Sequence, residues 1–419
     1  MNRINTNFIH KNTGVSNAVD TKNLPRHRWY YYKEGFSPNL VESAIDECCL
    51  NEDSLILDPF NGSGTVTLTA AKRNIKSQGI EVNPFTSFLA KTKALNAKQS
   101  QFNLLFERTL NSCFKGSLSS LENYSTFTES KKSSKKWLFN TDVLRAFNGG
   151  MDLISEDRSN SAKLIKLALI SAVMENCNAT KDGKCLRYRK DWESKTFSKA
   201  TFIESFQKKA TIIKKDLSEH IIKKPQIETF DTRLSEKYSL IENFDLCITS
   251  PPYLNTFDYT DIYRPELFLG RFIKSSEELY KLRLRTVRSH VQANWEKPNL
   301  NNINSILLKD VYSKIDSKSE LLMHKHIPAM ILAYFEDMGN IFNNLSRNAK
   351  QNANVWMIVS TSAYANEHIP VDLILGDIAT KNGWKLKEIG VLREINKRMT
   401  KYSPDISKLR ESVIILSKD

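Results

Sequence analysis

The run Ser250-Pro251-Pro252-Tyr253 carries the most distinctive chemistry in the chain. Ahead of it Phe244, Leu246 and Ile248 alternate as in a short buried strand. Two successive prolines then stop that strand, fix their own backbone angles and hold Ser250 extended. A stiff loop at a strand's carboxyl end is predicted. It presents a hydroxyl, two carbonyls without neighbouring amide donors, and an aromatic face, a set that suits a flat amine. An ordinary Pro-rich turn uses the same residue types, so these four alone do not separate the two.

A second stretch does more. Leu55-Ile56-Leu57-Asp58-Pro59-Phe60-Asn61-Gly62-Ser63-Gly64-Thr65 runs from an apolar strand into a glycine-bearing turn, and a helix start follows over Val66 to Arg73. Gly62 and Gly64 let the backbone pass close to a ligand, and the helix amino terminus offers free N–H groups. No lysine follows as a phosphate-binding P-loop requires. An acidic residue does follow, Glu81, 23 positions after Asp58 and within Gly79-Ile80-Glu81-Val82-Asn83-Pro84. About 20 residues is the spacing at which a second strand delivers a carboxylate to ribose hydroxyls. A nucleoside half-site therefore precedes the Ser-Pro-Pro-Tyr loop.

Together the two motifs resemble those of the DNA amino-methyltransferases, which use S-adenosylmethionine to methylate exocyclic amines of bases. Asp58-Pro59-Phe60-Asn61-Gly62-Ser63-Gly64-Thr65 is similar to the family's cofactor motif, and Thr249 to Tyr253 to its catalytic motif. Serine in the first position is similar to the cytosine-N4 branch, of bacterial restriction-modification type; adenine-N6 members more often have Asp or Asn there. The resemblance implies that Asp58, Phe60, Gly62, Gly64, Thr65, Glu81 and Asn83 surround the cofactor. It implies that Ser250, Pro251, Pro252 and Tyr253 handle the base.

The family also has a segment ahead of the glycine motif that folds over the cofactor's methionine end. Here Tyr30, Lys33 and Phe36 are its candidates, with simple packing against the first helix as the competing use. Asp231, 18 residues before Thr249, resembles the third-strand Asp that contacts the cofactor's adenine amine. The implied partner is double-stranded DNA, from which the base must be flipped, and a restriction endonuclease acting separately fits the type. Adenine-N6 methylation stays open beside cytosine-N4, as do an RNA methyltransferase and a non-catalytic specificity subunit.

Composition narrows the rest. The chain has 419 residues with 40% hydrophobic, room for a catalytic domain and one substantial addition. No apolar run approaches the length of a membrane span, and the amino terminus lacks a secretory signal, so a soluble cytoplasmic, nucleoid-associated protein is expected. Six cysteines form no Cys-x-x-Cys pair, which suggests neither a zinc cluster nor a disulfide framework. None follows a proline, so the Pro-Cys nucleophile of cytosine-C5 methylation is absent.

The elements that must position these motifs follow from periodicity. Strand 55–58, helix 65–74 and strand 77–82 form half of a doubly wound, Rossmann-like α/β sheet. A helix capped by Ser37 precedes them. Residues 1–24 are expected as a loose arm, 25–100 as the cofactor half, 101–225 as a mainly helical basic insertion and 226–419 as the remaining catalytic domain. The resemblance implies seven strands, the last pair a hairpin.

Net charge is +14, and residues 101–225 hold 23 Lys/Arg against 14 Asp/Glu, so most of the excess sits in the insertion. Within it Lys184, Arg187, Arg189 and Lys190 interleave with Tyr188 and Trp192, as a phosphate- and base-touching surface needs. Arg283, Arg285 and Arg288 form a second basic stretch. In the resembling class, recognition segments commonly lie after the third strand, whereas this insertion comes before it.

Overall fold

A computed structural model describes residues 4–8, 17–124, 126–129, 136–182, 185–194, 196–234, 240–299, 303, 305–396, 401–402 and 405–419. Twelve strands are assigned among them: β1 Ile4–Asn5, β2 Leu55–Asp58, β3 Lys76–Ile80, β4 Ala179–Lys181, β5 Leu186–Tyr188 and β6 Gln226–Glu228 in the first part. The remainder are β7 Phe244–Thr249, β8 Ala349–Ser360, β9 Ser362–Tyr364, β10 Glu367–Ile369, β11 Lys385–Asn396 and β12 Lys408–Ser417. Eight of these make one sheet in the order β1-β11-β12-β8-β7-β2-β3-β6.

The chain leaves β2 for β3 and β6 on one side, then returns to β7 on the other. All of these neighbours are parallel, and β7–β8 is parallel too. The reversal between β2 and β7 opens a crevice beyond their carboxyl ends, where ligands of doubly wound sheets bind. Both sequence motifs begin at those two ends. β11 and β12 form the closing antiparallel hairpin.

Alternation along the central strands explains their burial on two faces. Leu55 and Leu57 of β2, with Cys247 of β7, face one apolar cluster; Phe244 joins it, on the side away from Leu246 and Ile248, because the β7–β8 register shifts between Phe244 and Leu246. Ile56, Leu246 and Ile248 face the opposite cluster, which contains Leu40, Val41 and Ile45 of the helix Pro38–Glu47. Ser37 caps that helix by accepting from the Asn39 amide at 3.1 Å. Asn83 does the same for the helix Pro84–Lys93, accepting from Phe85 at 2.9 Å.

One expectation changes. Within the segment expected as a loose arm, Ile4 and Asn5 pair with Ile389 and Gly390 as an eighth strand. Phe8 then packs its ring on Trp356, with centroids 6.1 Å apart. An apolar side chain that meets the sheet edge outweighs the polar composition around it. The insertion, moreover, shares one core with the catalytic body. Leu144, Leu164, Leu169 and Phe202 belong to the same cluster as Trp29, Phe85, Leu89 and Leu267.

Candidate active site

The hollow at the β2/β7 crevice is built from the glycine turn outward. Gly62 and Gly64 sit at φ +47° and +81°, the left-handed region that L side chains avoid. A Cβ on Gly64 would stand 2.8 Å from the Ala90 Cβ, closer than real contacts allow. A Cβ on Gly62 would meet the Tyr32 ring at 3.4 Å. The turn is fastened to β3 by the Asn61 amide, which donates to the Ile80 carbonyl at 2.9 Å.

Glu81 follows that strand and accepts from the Gly62 amide at 2.7 Å and the Asn83 amide at 2.8 Å. Burial raises its pKa while the amide bonds oppose the rise. A carboxylate has about four lone-pair sites, so these two amides leave capacity toward the hollow. That is the arrangement a pair of ribose hydroxyls requires. Asp58 is more buried, at 2% exposure, and accepts from the Thr249 hydroxyl at 2.6 Å and the Phe60 amide at 3.1 Å. Its pKa is pushed up to about 7, mainly by burial.

Asp58, Phe60, Gly62, Thr65, Glu81 and Asn83 all line one hollow, together with Phe36, Asp231, Ser250 and Pro252. Gly64 supplies the turn behind them as the residue that starts the helix Thr65–Lys72. Pro251 is buried beside Ser250. Tyr253 is half-buried and outside the lining; its hydroxyl donates to Glu411 Oε1 at 2.7 Å. Burial and that carboxylate raise the phenol's pKa well above its usual value.

Several residues land elsewhere. Tyr30 and Lys33 line a second hollow against the insertion. Tyr30 donates its hydroxyl hydrogen to Glu266 and accepts from Lys181 Nζ at 2.9 Å; Lys33 Nζ donates to the Lys181 carbonyl. Asp231 lines the first hollow, but both its oxygens accept from the Arg233 guanidinium, at 2.9 and 2.7 Å.

Of the basic residues, Arg283 pairs with Asp258 at 2.6 Å, and Arg288 with Asp337 at 2.6 Å and Glu336 at 2.7 Å. Those pairs brace the loop over the hollow. Arg285 between them is exposed and lines the rim. Arg187 is exposed and pairs with Asp182 at 2.7 Å, and Lys190 is exposed. Arg189 is half-buried, donating to the Cys177 carbonyl at 3.0 Å. Lys184 lies outside the described residues. Trp192 packs inward on Trp137 and Tyr188, with centroids 4.8 and 5.5 Å away, so the interleaved aromatics are spent on packing.

Other residues complete the wall, among them Tyr259, which ends the run Asn255–Tyr259 whose aromatics the sequence offers as a base-pocket wall. Tyr32 stacks on Tyr263 at 5.2 Å, and Tyr259, Thr260, Ser289 and His290 complete that side. Thr232 Oγ1 is buried at the wall without a hydrogen-bond partner. Periodicity cannot tell which of the rings Tyr30, Tyr31 and Tyr32 faces the hollow.

A Rossmann-like sheet with a glycine turn, a buried carboxylate after the next strand and a hydroxyl-bearing Pro-Pro loop at its switch point is the frame of the S-adenosylmethionine-dependent methyltransferases, the class to which the comparisons assign the chain. A family model described as DNA methylase (N6_N4_Mtase) matches residues 4–91. Type II methyltransferase M.BsoBI of Geobacillus stearothermophilus is 30% identical over 95% of this chain and 86% of its own length. Type II methyltransferase M.AvaI of Nostoc sp. is 26% identical over 88% of this chain and 81% of its own. Type II methyltransferase M.MvaI of Kocuria varians is 21% identical over 87% and 82%. The chain belongs to this family of DNA methyltransferases. Among the described residues no helix is long and apolar enough to cross a membrane.

Proposed function

We propose that the protein methylates the exocyclic N4 amine of a cytosine flipped out of double-stranded DNA, as the modification enzyme of a restriction-modification system. The observation that carries this is Ser250, the first residue of the Pro-Pro loop, which lines the same hollow as Gly62 and Glu81. In the cofactor half of that hollow Glu81 would hold the ribose and the Gly62 turn the methionine portion. Thr232, with its unpartnered hydroxyl, would meet the adenine edge. S-adenosylmethionine supplies an electrophilic methyl group on a sulfonium.

An exocyclic amine shares its lone pair with the ring and is a poor nucleophile. Ser250 Oγ and the Pro251 carbonyl accept its two hydrogens, which draws the lone pair out of the ring and toward the methyl. Positive charge grows on the nitrogen, and acceptors fixed in place beforehand stabilise it without reorganising. Pro252 keeps the loop from relaxing. Exposed Arg187, Lys190 and Arg285 would meet DNA phosphates, the last at the rim where a flipped nucleotide enters. A restriction endonuclease of the same specificity would be a separate protein.

The test is the product. Duplex DNA methylated by the purified enzyme is digested to nucleosides and separated by mass. N4-methylcytosine is expected; N6-methyladenine would overturn the base assignment and leave the enzyme class standing. Ser250→Ala should bind cofactor normally and transfer methyl about 10²–10³-fold more slowly, the typical cost of one lost transition-state hydrogen bond.

A further inference from the structure

The loop's polar atoms continue into a chain that ends on the closing hairpin. Ser250 Oγ lies 3.4 Å from the Tyr253 hydroxyl as donor to it, and Tyr253 donates to Glu411 Oε1 at 2.7 Å. Glu411 sits on β12 with its side chain 3% exposed, and its second oxygen accepts from Arg393 Nε of β11 at 2.7 Å. Glu411 pairs in register with Ser360 of β8 and Arg393 of β11, so its backbone is held on both sides.

We propose that Glu411 is a positioning residue that sets the direction of this hydrogen-bond chain, and so makes Ser250 an acceptor toward the amine. The inference rests on the role given to Ser250 above. A carboxylate is acceptor-only, whereas a hydroxyl has one donor and two lone pairs. With Glu411 taking the Tyr253 hydrogen, the Tyr253 oxygen is left as an acceptor. It then takes the Ser250 hydrogen. Ser250 has no hydrogen remaining and presents lone pairs alone to the incoming amine. Without the carboxylate, Tyr253 is free to donate to Ser250, whose own hydrogen then points at the amine and opposes it.

Glu411→Gln is the sharp test because it keeps the shape and reverses the polarity. Arg393 is donor-only, so the amide oxygen must face it and the amide NH2 must face Tyr253. Single-turnover methyl transfer on duplex DNA, at saturating S-adenosylmethionine, should slow by about 10²-fold, comparable to losing one preorganised hydrogen bond. Cofactor affinity by calorimetry and the circular dichroism spectrum should match the wild type.

Adding Glu411→Gln to Ser250→Ala should change the rate no further, because the group being oriented is gone. Wild-type single-turnover rate in Glu411→Gln, or the same fold loss in both backgrounds, would overturn the proposal. If Glu411→Gln does not fold, Tyr253→Phe keeps the ring and cuts the chain. It should slow transfer with Ser250 present and add nothing to Ser250→Ala; wild-type rate in Tyr253→Phe overturns the relay. Full rate in Ser250→Ala alone sinks the underlying reading of Ser250 instead.

Discussion

Thr249 gives its hydroxyl hydrogen to Asp58 at 2.6 Å, joining the last residue of β7 to the last residue of β2. That bond links the Ser-Pro-Pro-Tyr loop to the glycine turn at the sheet's switch point. It also holds down a carboxyl that burial pushes up to about 7. An unfolded Asp titrates near 3.9, so the folded state binds the proton more tightly, and this group's contribution falls as pH rises from about 4 to about 7. Thr249→Val removes a bond that favours the carboxylate and raises the folded pKa further. The loss of stability should be about 1–2 kcal/mol at pH 8 and smaller at pH 5. Urea unfolding at the two pH values measures it; an equal loss at both would mean that Asp58 does not titrate in this range.

Lys93 gives the opposite slope. It is 2% exposed, and burial alone lowers its pKa to about 7. An unfolded Lys holds its proton to about pH 10.4, so the fold is destabilised below pH 7 and recovers as pH rises from about 7 to about 10. Lys93→Met keeps the stem and removes the charge. It should raise stability at pH 7 by an amount on the order of 4 kcal/mol, because each tenfold weakening of proton binding costs about 1.4 kcal/mol. The difference from wild type should narrow by pH 10. A constant difference in denaturant titrations would assign the gain to packing.

The catalytic sheet was legible because its signals are local. Leu55–Asp58, the glycine turn, the Ser37 cap and the apolar alternation before Ser250 each fix their element without help from distant residues. What escaped the sequence depends on partners far along the chain. Tyr253 meets Glu411 across 158 residues, and Tyr30 meets Glu266 across 236. Arg283 and Arg288 look like DNA contacts in a basic run, yet Asp258, Glu336 and Asp337 consume them. Composition counts charges; only the fold shows which are already neutralised.

The glycine turn separates cofactor binding from folding. Gly64→Ala puts a Cβ 2.8 Å from Ala90 at φ +81° and should cost about 1–3 kcal/mol of stability. Gly62→Val at φ +47° presses instead on Tyr32, a wall of the hollow. Wild-type protein should melt higher as S-adenosylmethionine is added, since a ligand that binds only the native state stabilises it. Gly62→Val should fold and lose that rise. A full ligand-induced rise in Gly62→Val would remove the turn from the cofactor site.

The arginines should divide into two kinds. Arg283 and Arg288 have side chains 16% exposed, paired with carboxylates 3% and 4% exposed. Removing Arg283 leaves the buried Asp258 carboxylate without its guanidinium, so Arg283→Ala should destabilise the fold by about 3 kcal/mol. Arg288→Ala should cost less, because Asp337 keeps the Arg233 guanidinium at 3.3 Å. Arg285 carries no such brace and is exposed at the rim, and Arg187 and Lys190 are exposed on the insertion. Replacing each of these with Ala should leave the melting temperature nearly unchanged. It should instead flatten the slope of log affinity against log salt by about 1 for each phosphate no longer neutralised. DNA binding at several salt concentrations, beside melting curves, sorts the five. An unchanged salt slope in the Arg285, Arg187 and Lys190 triple variant would place the DNA grip on other basic residues.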